Sequence, residues 1–298
     1  MRSIAYTDPF VPAEWIAAHG LRPLRLRPDW PRLDDDQVPS FGVCPFARAF
    51  VGELKERQME LAGGIFTTVC DQMRRAAEGL GRCRMPRFIL NVPATWQTPA
   101  AIHLYQDELK RLGGFLVHLG GRTPTEAQLI RCMLKYEEIR KKQIIASPGK
   151  TKLSLVLVGG PLMRSDEYLF DVIERLGGRI VLDGSETGTR TWPGRFNRRR
   201  LRENPLRELA RAYFEAIPDI SRRPNTEFYR WLQRAVAKHH IKGFLIRRFV
   251  WCDRWAAEVG RIKEICGLPV LDLDAGDGEE STRLRTETRL QAFLEMLR

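Results

Sequence analysis

The sequence predicts an α/β protein with two parallel-sheet domains joined by a helical segment. In both halves of the chain, short apolar runs rich in β-branched and aromatic residues alternate with helical patterns, which is typical of parallel sheets covered by helices. Between the halves, residues 98–146 show a helical pattern alone. We therefore predict an N-terminal α/β domain over residues 1–97, a helical linker segment over 98–149 and a C-terminal α/β domain over 150–298.

The elements of the N-terminal domain follow from composition and from helix stop signals. Strand-like residues predict strands over 3–7, 21–27, 64–69 and 86–93, and the first of the helices between them covers residues 12–19. That helix has proline in its first turn and Gly20 as its stop. Further helices are predicted from Pro45 onward and over residues 71–78. Residues 28–43 are rich in proline, include three consecutive aspartates and are predicted to be a loop.

The helical segment and the C-terminal domain are predicted by the same signals. The segment holds a helix over 101–116 and a second helix that begins at a capping box over 123–126 and ends near residue 145. Residues 147–150 break this helix and mark the domain boundary. Beyond it, strands are predicted over 153–161, 179–183, 242–253 and 268–272, and helices over 166–176, 205–217, 227–240, 255–266 and 281–297.

Bulk composition limits the classes of function. The chain has 49 lysines and arginines against 37 acidic residues, a net charge of +12 that implies an anionic partner. Nucleic acid is not expected as the main ligand, because stacking motifs, zinc-finger spacings and basic-zipper heptads are missing. No apolar run approaches the ~20 residues of a membrane span. The start lacks the apolar core of a signal peptide, so we expect a cytoplasmic protein.

Three of the six cysteines lie where a strand or loop meets the start of a helix. Cys70 and Cys252 each follow an apolar strand and precede an aspartate that we expect to cap a helix (Asp71 and Asp253), while Cys44 is the predicted N-cap before Pro45. Ligands bind at the carboxyl ends of strands in open α/β sheets, and a helix N-terminus lowers the pKa of a thiol. The remaining cysteines, predicted to be small buried or loop residues, are Cys83, Cys132 and Cys266.

Spacing alone leaves the role of the three junction cysteines open. Disulfides are not expected, because six cysteines are too few for a disulfide scaffold and the compartment is reducing. Ligands from three distant segments do not match the local pairs of zinc fingers or ribbons. A metal or iron–sulfur site, a catalytic Cys–His pair and simple burial all remain as alternatives.

A family resemblance bears on this choice. It is carried by short segments in a fixed order along the chain: residues 6–23, 44–48, 67–75, 90–93, 159–162, 183–190, 251–253, 267–271 and 289–295. Three of these segments contain Cys44, Cys70 and Cys252. In these segments the chain resembles the 2-hydroxyacyl-CoA dehydratase / benzoyl-CoA reductase family, and specifically an iron–sulfur subunit like the D-component of 2-hydroxyglutaryl-CoA dehydratase.

The resemblance implies a cofactor and a fold. It implies one [4Fe–4S] cluster per chain with Cys44, Cys70 and Cys252 as metal ligands and one iron left open, which agrees with the preference of iron–sulfur clusters for soft thiolates. It also implies two Rossmann-like or flavodoxin-like α/β domains with the cluster in the cleft between them. Residues 6–8 contain no further cysteine, which argues against a larger, doubled cluster.

The resemblance also implies an activity and partners. Family members pair with a homologous second subunit or a second copy, and a separate ATP-hydrolysing iron–sulfur activator supplies an electron at low potential. That electron forms a ketyl radical on a 2-hydroxyacyl-CoA in the dehydratases, which are lyases, or enters an aromatic CoA thioester in the reductases, which are oxidoreductases. The alternatives are a non-catalytic or electron-relay subunit, and a redox-inactive nucleotide- or nucleic-acid-binding protein that has the same fold.

Further residues are candidates for substrate contacts, each with a simpler alternative. Glu14 matches a glutamate of the first motif and is a candidate acid or base, or else a first-turn glutamate favoured by the helix dipole. Gly188, Thr189 and Arg190 are candidates for binding the thioester or phosphates of the coenzyme, or else form a structural turn. The basic run over residues 197–202 is a candidate for the coenzyme A phosphates, or else a solvated surface.

Overall fold

Two four-stranded parallel sheets, one in each half of the chain, form the frame of the protein. The structure is a computed structural model that describes residues 2–30, 42–80, 83–142, 153–276 and 279–298. The predicted α/β class with two parallel-sheet units is confirmed. Within the described ranges, no helix combines the length and the apolar character needed to cross a membrane.

The first sheet has the strand order β2-β1-β3-β4. All its strands run parallel, with Ile4 of β1 opposite Pro23 of β2 and Ile65 of β3 opposite Phe88 of β4. The strands are β1 (Ser3–Tyr6), β2 (Arg22–Arg25), β3 (Leu61–Thr67) and β4 (Arg87–Leu90), and the helices between them are α1 (Ala13–Ala18), α2 (Pro45–Glu56) and α3 (Asp71–Gly79). As predicted from its alternating composition, β2 lies at the edge.

Two long helices follow this sheet, α4 (Pro99–His118) and α5 (Glu126–Lys142). Thr98 caps α4, since its side chain accepts a hydrogen bond from the backbone of Ala101. The capping box of α5 is shifted by two residues from the predicted one, because Thr125 and Gln128 exchange the reciprocal hydrogen bonds. The predicted helix end near 145 and the break over 147–150 lie outside the described residues.

The second sheet repeats the order of the first, as β6-β5-β7-β8, and is also parallel throughout. Its strands are β5 (Leu153–Gly159), β6 (Gly178–Gly184), β7 (Gly243–Phe249) and β8 (Val270–Ala275). The helices that accompany it are α6 (Tyr168–Arg175), α9 (Thr226–Lys238), α10 (Asp253–Cys266) and α11 (Glu279–Met296). Strand β7 is shorter than the predicted 242–253, because the chain turns through Trp251, whose φ is +65°, before Cys252 begins the next helix.

A segment between β6 and α9 packs against the first sheet. It comprises α7 (Arg198–Glu203), which was not predicted, and α8 (Pro205–Ala210), which continues as a π-helical turn over Arg211–Glu215. The two helices are separate because Asn204 has an extended backbone and caps α8 by accepting a hydrogen bond from the backbone of Arg207. Leu201, Leu209 and Phe214 lie in the same core as residues of α1, α4 and α5. The two halves of the chain are therefore packed together.

The strand order determines where a ligand site is expected. In each sheet, the first and third strands are neighbours, and the connections leave them toward opposite edges. The crevice at the carboxyl ends of such a strand pair is the usual ligand site of an open parallel sheet. In this protein those positions are the ends of β1 and β3 in one sheet and of β5 and β7 in the other.

Candidate functional site

A cavity of about 60 Å³ lies between the two halves, at the carboxyl ends of β1, β3, β5 and β7. Its walls come from the segments that follow these strands, from the loop after β6 and from the start of α2. The polar residues that line it are Thr7, Asp8, Cys44, Cys70, Gln72, Glu186, Cys252 and Arg254. The larger apolar residues that line it are Phe46, Val69, Met73, Phe249 and Trp255.

The structure brings the three junction cysteines to this one cavity. Each is the N-cap residue of a helix: Cys44 of α2, Cys70 of α3 and Cys252 of α10. Cys70 and Cys252 occupy equivalent positions, since each lies between the third strand of its sheet and the following helix. All three are unpaired and half-buried. The predicted capping aspartates, Asp71 and Asp253, are instead the first residues of their helices.

Burial keeps the three thiols protonated. It raises the pKa of Cys44 to about 12 and that of Cys252 to about 11, and it raises the pKa of Cys70 as well. Backbone N–H groups of the three helix starts oppose this shift, without forming regular hydrogen bonds to sulfur, and so does the guanidinium of Arg254 near Cys70 and Cys252. Our expectation of lowered thiol pKa values is therefore wrong, because desolvation outweighs the helix N-termini.

The grouping of the cysteines bears on a single-ion site and on a cluster in different ways. Among the described residues, no three His, Cys, Asp or Glu side chains are grouped closely enough to bind one metal ion. A single zinc would need its sulfurs at ~2.3 Å from one point. An iron–sulfur cluster has a different requirement, because each cysteine binds a different iron at a corner of the cluster. A metal centre also deprotonates the thiols it binds, so it would supply the positive charge that these buried sulfurs lack.

A buried ion-pair network supports the cavity wall. Arg254 donates to the carbonyl of Val69 (2.8 Å) and to Asp219 Oδ1 (3.1 Å), which links α10 to the segment before Cys70. Asp219 Oδ2 also accepts a hydrogen bond from Arg190 Nη1 (2.9 Å). Burial alone would raise the pKa of Asp219, but the charges of Arg190 and Arg254 hold it at about 2. The network therefore fixes a cationic group, Arg254, beside two of the cysteines.

Two carboxylates on the cavity were not selected by sequence reasoning. Burial, with the nearby charge of Asp219, raises the pKa of Glu186 to about 6, and burial also raises the pKa of Asp8. Asp8 accepts hydrogen bonds from the backbone of Phe10 (2.8 Å) and from Thr67 Oγ1 (2.7 Å). Asp8 could have been selected from the sequence, because it lies two residues after β1 and ligands are expected at the carboxyl ends of strands. Cys70 and Cys252 were selected by the same rule.

Glu14 lies in the core of the first half rather than among the residues that line the cavity. Its side chain is fully buried and forms an ion pair with Arg140 of α5 at 2.7 Å. It also accepts a hydrogen bond from the hydroxyl of Tyr213 at 2.5 Å. This glutamate therefore joins α1, α5 and the π-helical turn.

The loop with Gly188, Thr189 and Arg190 is likewise absent from the cavity lining. Gly188 packs so closely on Asp183 that an added Cβ would lie 2.4 Å from the backbone oxygen of that residue. Thr189 is exposed, whereas Arg190 points inward to Asp219 and is 2% exposed. The basic run forms α7, where the arginines exposed to solvent are Arg198, Arg199, Arg200 and Arg202.

Comparisons with known structures and curated proteins are uninformative. The SBP FpvC from Pseudomonas aeruginosa in complex with Mn²⁺ is 11% identical with a TM-score of 0.27, and the alignment covers 99% of this chain and 98% of that one. A mutant of the laminin-binding adhesin Lmb from Streptococcus agalactiae is 12% identical with a TM-score of 0.26, and both chains are covered completely. The Zn(II)-bound ZnuA-like domain of AdcA from Streptococcus pneumoniae is 11% identical with a TM-score of 0.26, and the alignment covers 99% of this chain and 97% of that one. At these identities and TM-scores they carry no argument about fold or ligand. No curated protein matches the chain.

The comparison with protein families is decisive. The family described as 2-hydroxyglutaryl-CoA dehydratase, D-component, matches residues 9–144 and 142–297. The match covers strands β2 to β4 of the first sheet, all four strands of the second sheet and all three cysteines that line the cavity. It confirms the family assignment that the short sequence motifs predicted. The chain belongs to the 2-hydroxyglutaryl-CoA dehydratase D-component family and is a component of a 2-hydroxyacyl-CoA dehydratase-type system.

Proposed function

We propose that this chain is the iron–sulfur subunit of an ATP-activated 2-hydroxyacyl-CoA dehydratase or a related benzoyl-CoA reductase-like enzyme. Cys44, Cys70 and Cys252 would hold one [4Fe–4S] cluster. The observation that carries the proposal is the convergence of these three cysteines, from distant parts of the chain, on one cavity between the two sheets. Family membership supports the substrate class, a 2-hydroxyacyl-CoA thioester.

The residues around the cavity suit a cluster of this kind. The three cysteines are accessible to the cavity and free of disulfides, and each lies at the amino end of a helix, where a negative charge is stabilised. Arg254 adds a fixed positive charge beside Cys70 and Cys252. When bound, the cluster would supply electron transfer at low potential, while the protein supplies position and electrostatics.

Proton transfer near the cavity would fall to its two carboxylates. A carboxyl group with a pKa near 6, as in Glu186, can both donate and accept a proton at neutral pH. Asp8 is the second candidate, because burial raises its pKa too. We do not assign this role to Glu14, since Arg140 and Tyr213 hold its carboxylate inside the core.

The expected partners follow from the family. We propose a homologous second subunit or a second copy of this chain, together with an ATP-hydrolysing iron–sulfur activator in the cytoplasm. The size of the cavity favours a second candidate function, an electron-relay subunit. Its volume of about 60 Å³ is well below the ~300–1,000 Å³ of typical small-molecule pockets. A relay subunit would bind the cluster and pass electrons to a partner that holds the acyl-CoA.

Anaerobic purification of the full-length chain tests the proposal. We expect a brown protein with roughly four irons and an absorbance band near ~400 nm. A colourless, iron-free protein that stays so after reconstitution with iron and sulfide would refute both candidate functions and favour a redox-inactive binding protein. Equilibrium binding of a 2-hydroxyacyl-CoA to the iron-loaded chain separates the candidates, because a relay subunit would bind iron but not the thioester.

A further inference from the structure

We propose that Gln72 is the positioning residue that holds Cys44 in place for the cluster. This inference rests on the proposed function, because it assumes that Cys44 and Cys70 bind irons of one cluster. Gln72 is the second residue of α3, the helix whose N-cap is Cys70, and its side chain lines the cavity. It would act through the backbone around Cys44 and not on the iron itself.

The two sheets fix two of the three cysteines more closely than the third. Cys70 follows the end of β3 by three residues, and Cys252 follows the end of β7 by three residues. The described strand that precedes Cys44 is β2, which ends as far back as Arg25. The position of Cys44 therefore depends on contacts other than the hydrogen bonds of that strand.

The helix that follows Cys44 fixes this residue only in part. Phe46 and Phe50 are buried, so packing fixes the axis of α2. Cys44 is the N-cap residue, however, and the N–H of an N-cap residue has no acceptor within its helix. The next residue, Pro45, has no N–H to donate. The direction of the chain at Cys44 therefore depends on the hydrogen bonds that its backbone makes outside α2.

Gln72 makes such hydrogen bonds with both ends of its side-chain amide. Its Oε1 accepts a hydrogen bond from the N–H of Cys44 (3.1 Å), and its Nε2 donates to the carbonyl of Gly42 (3.3 Å). A primary amide presents an acceptor and a donor side by side, so it pairs with the backbone as a peptide group of a neighbouring strand would. This pairing joins the segment before α2 to the first turn of α3, and it thereby sets Cys44 relative to Cys70.

This pairing matters for a cluster because the cysteines of a cluster bind different irons at fixed separations. If the backbone at Cys44 is free to turn away, one iron loses its thiolate while Cys70 and Cys252 remain in place. Groups that orient metal ligands typically contribute about 10–100-fold to metal affinity or activity. Gln72 is therefore expected to affect iron retention although it binds no iron.

Residue-resolved hydrogen exchange in the iron-free, full-length chain tests whether Gln72 holds Cys44. Gln72→Met keeps the length of the side chain but removes both hydrogen bonds, whereas Gln72→Glu keeps an acceptor for the N–H of Cys44. We expect this N–H to exchange about fivefold faster in Gln72→Met, the change that the loss of one ordinary hydrogen bond produces, and to exchange as in the wild type in Gln72→Glu. The N–H of Ala256, which donates to the carbonyl of Cys252, should be unaffected. Unchanged exchange at Cys44 in Gln72→Met, or equally accelerated exchange at Ala256, would overturn the inference.

Iron release from the reconstituted chain under anaerobic conditions tests the role at the cluster. Gln72→Met should lose iron to a chelator at least about tenfold faster than the wild type, and Gln72→Glu should retain it like the wild type. Gln58→Met is the matched control, because Gln58 also contacts a cysteine, Cys83 (3.6 Å), but is absent from the cavity lining. Equal iron release in Gln72→Met and Gln58→Met would overturn the inference. A wild type that binds no iron would overturn the proposed function instead, and hydrogen exchange would still show whether Gln72 holds Cys44, so the two failures are distinguishable.

Discussion

Asp219→Asn is a sharp test of the ion-pair network that supports the cavity. The substitution keeps the shape of the side chain but removes its charge, and it leaves Arg190 and Arg254 without their shared partner. Arg190 and Asp219 are almost completely buried, with side chains 0% and 1% exposed. Removing one partner of a buried pair costs about 3–5 kcal/mol.

The pKa of Asp219 gives a second, smaller value for the loss in the free energy of unfolding. Its decrease from 3.8 to about 2 corresponds to about 2 kcal/mol of stabilisation by the charged form, at ~1.4 kcal/mol per pKa unit. Because the pKa is lowered in the folded state, this stabilisation is complete above pH 3.8 and is lost as the pH falls through about 2. We therefore expect Asp219→Asn to lower the free energy of unfolding by about 2–5 kcal/mol at pH 7, with no change in this difference down to pH 5.

Urea unfolding followed by tryptophan fluorescence measures this loss, and Asp272→Asn is the matched control. Asp272 also pairs with an arginine, Arg248, at 2.8 Å, but both side chains are about one-fifth exposed. Pairs that contact solvent contribute less than buried pairs, and the bidentate contact of Arg248 with Asp272 places this pair at the upper end of their range, about 1 kcal/mol. If Asp219→Asn costs no more than Asp272→Asn, the network around the cavity does not stabilise the fold.

Three further substitutions test separate parts of the structure. Glu14→Gln should lower the free energy of unfolding in urea by about 3–5 kcal/mol, because it leaves Arg140 without its buried partner. The iron content should not change, and loss of iron would place Glu14 at the cofactor. Cys132→Ala should lower the free energy of unfolding by about 1 kcal/mol and retain all iron. Loss of iron in this variant would contradict the assignment of Cys44, Cys70 and Cys252 as the iron ligands. In the iron-free chain, the raised pKa of Glu186 stabilises the protein below pH 4.5, so the free energy of unfolding should fall by about 2 kcal/mol as the pH rises through about 6. Glu186→Gln should remove that decrease, and an unchanged pH profile would contradict the burial of this carboxyl group.

Local sequence patterns were sufficient to predict the fold class and the positions of most elements. Helix α2 was predicted from Pro45 at its first position, helix α3 from the helical pattern over residues 71–78 and strand β5 from its apolar run, because these signals depend only on neighbouring residues. The same local reasoning placed Cys44, Cys70 and Cys252 at junctions between elements. It could not place them together, since their meeting depends on the strand order of two sheets and on how the sheets pack.

Some side-chain contacts could not be predicted from the sequence, because they form only in the folded chain. Glu14 matched a family motif, but its carboxylate pairs with Arg140 and accepts a hydrogen bond from Tyr213, which is 199 residues away in sequence. Arg190 likewise turns inward because Asp219 is present, and no local pattern connects the two residues. The pKa of the cysteines was mispredicted for the same reason, since a helix start is visible in the sequence but the depth of burial is not.

The decisive measurement is the iron content of two cysteine variants of the same helix, purified without oxygen beside the wild type. Cys252 is the N-cap residue of α10 and lines the cavity, whereas Cys266 is the last residue of that helix and is absent from the cavity lining. We expect roughly four irons in the wild type and in Cys266→Ala, and loss of the cluster in Cys252→Ala. Full iron retention in Cys252→Ala would contradict the three-cysteine site.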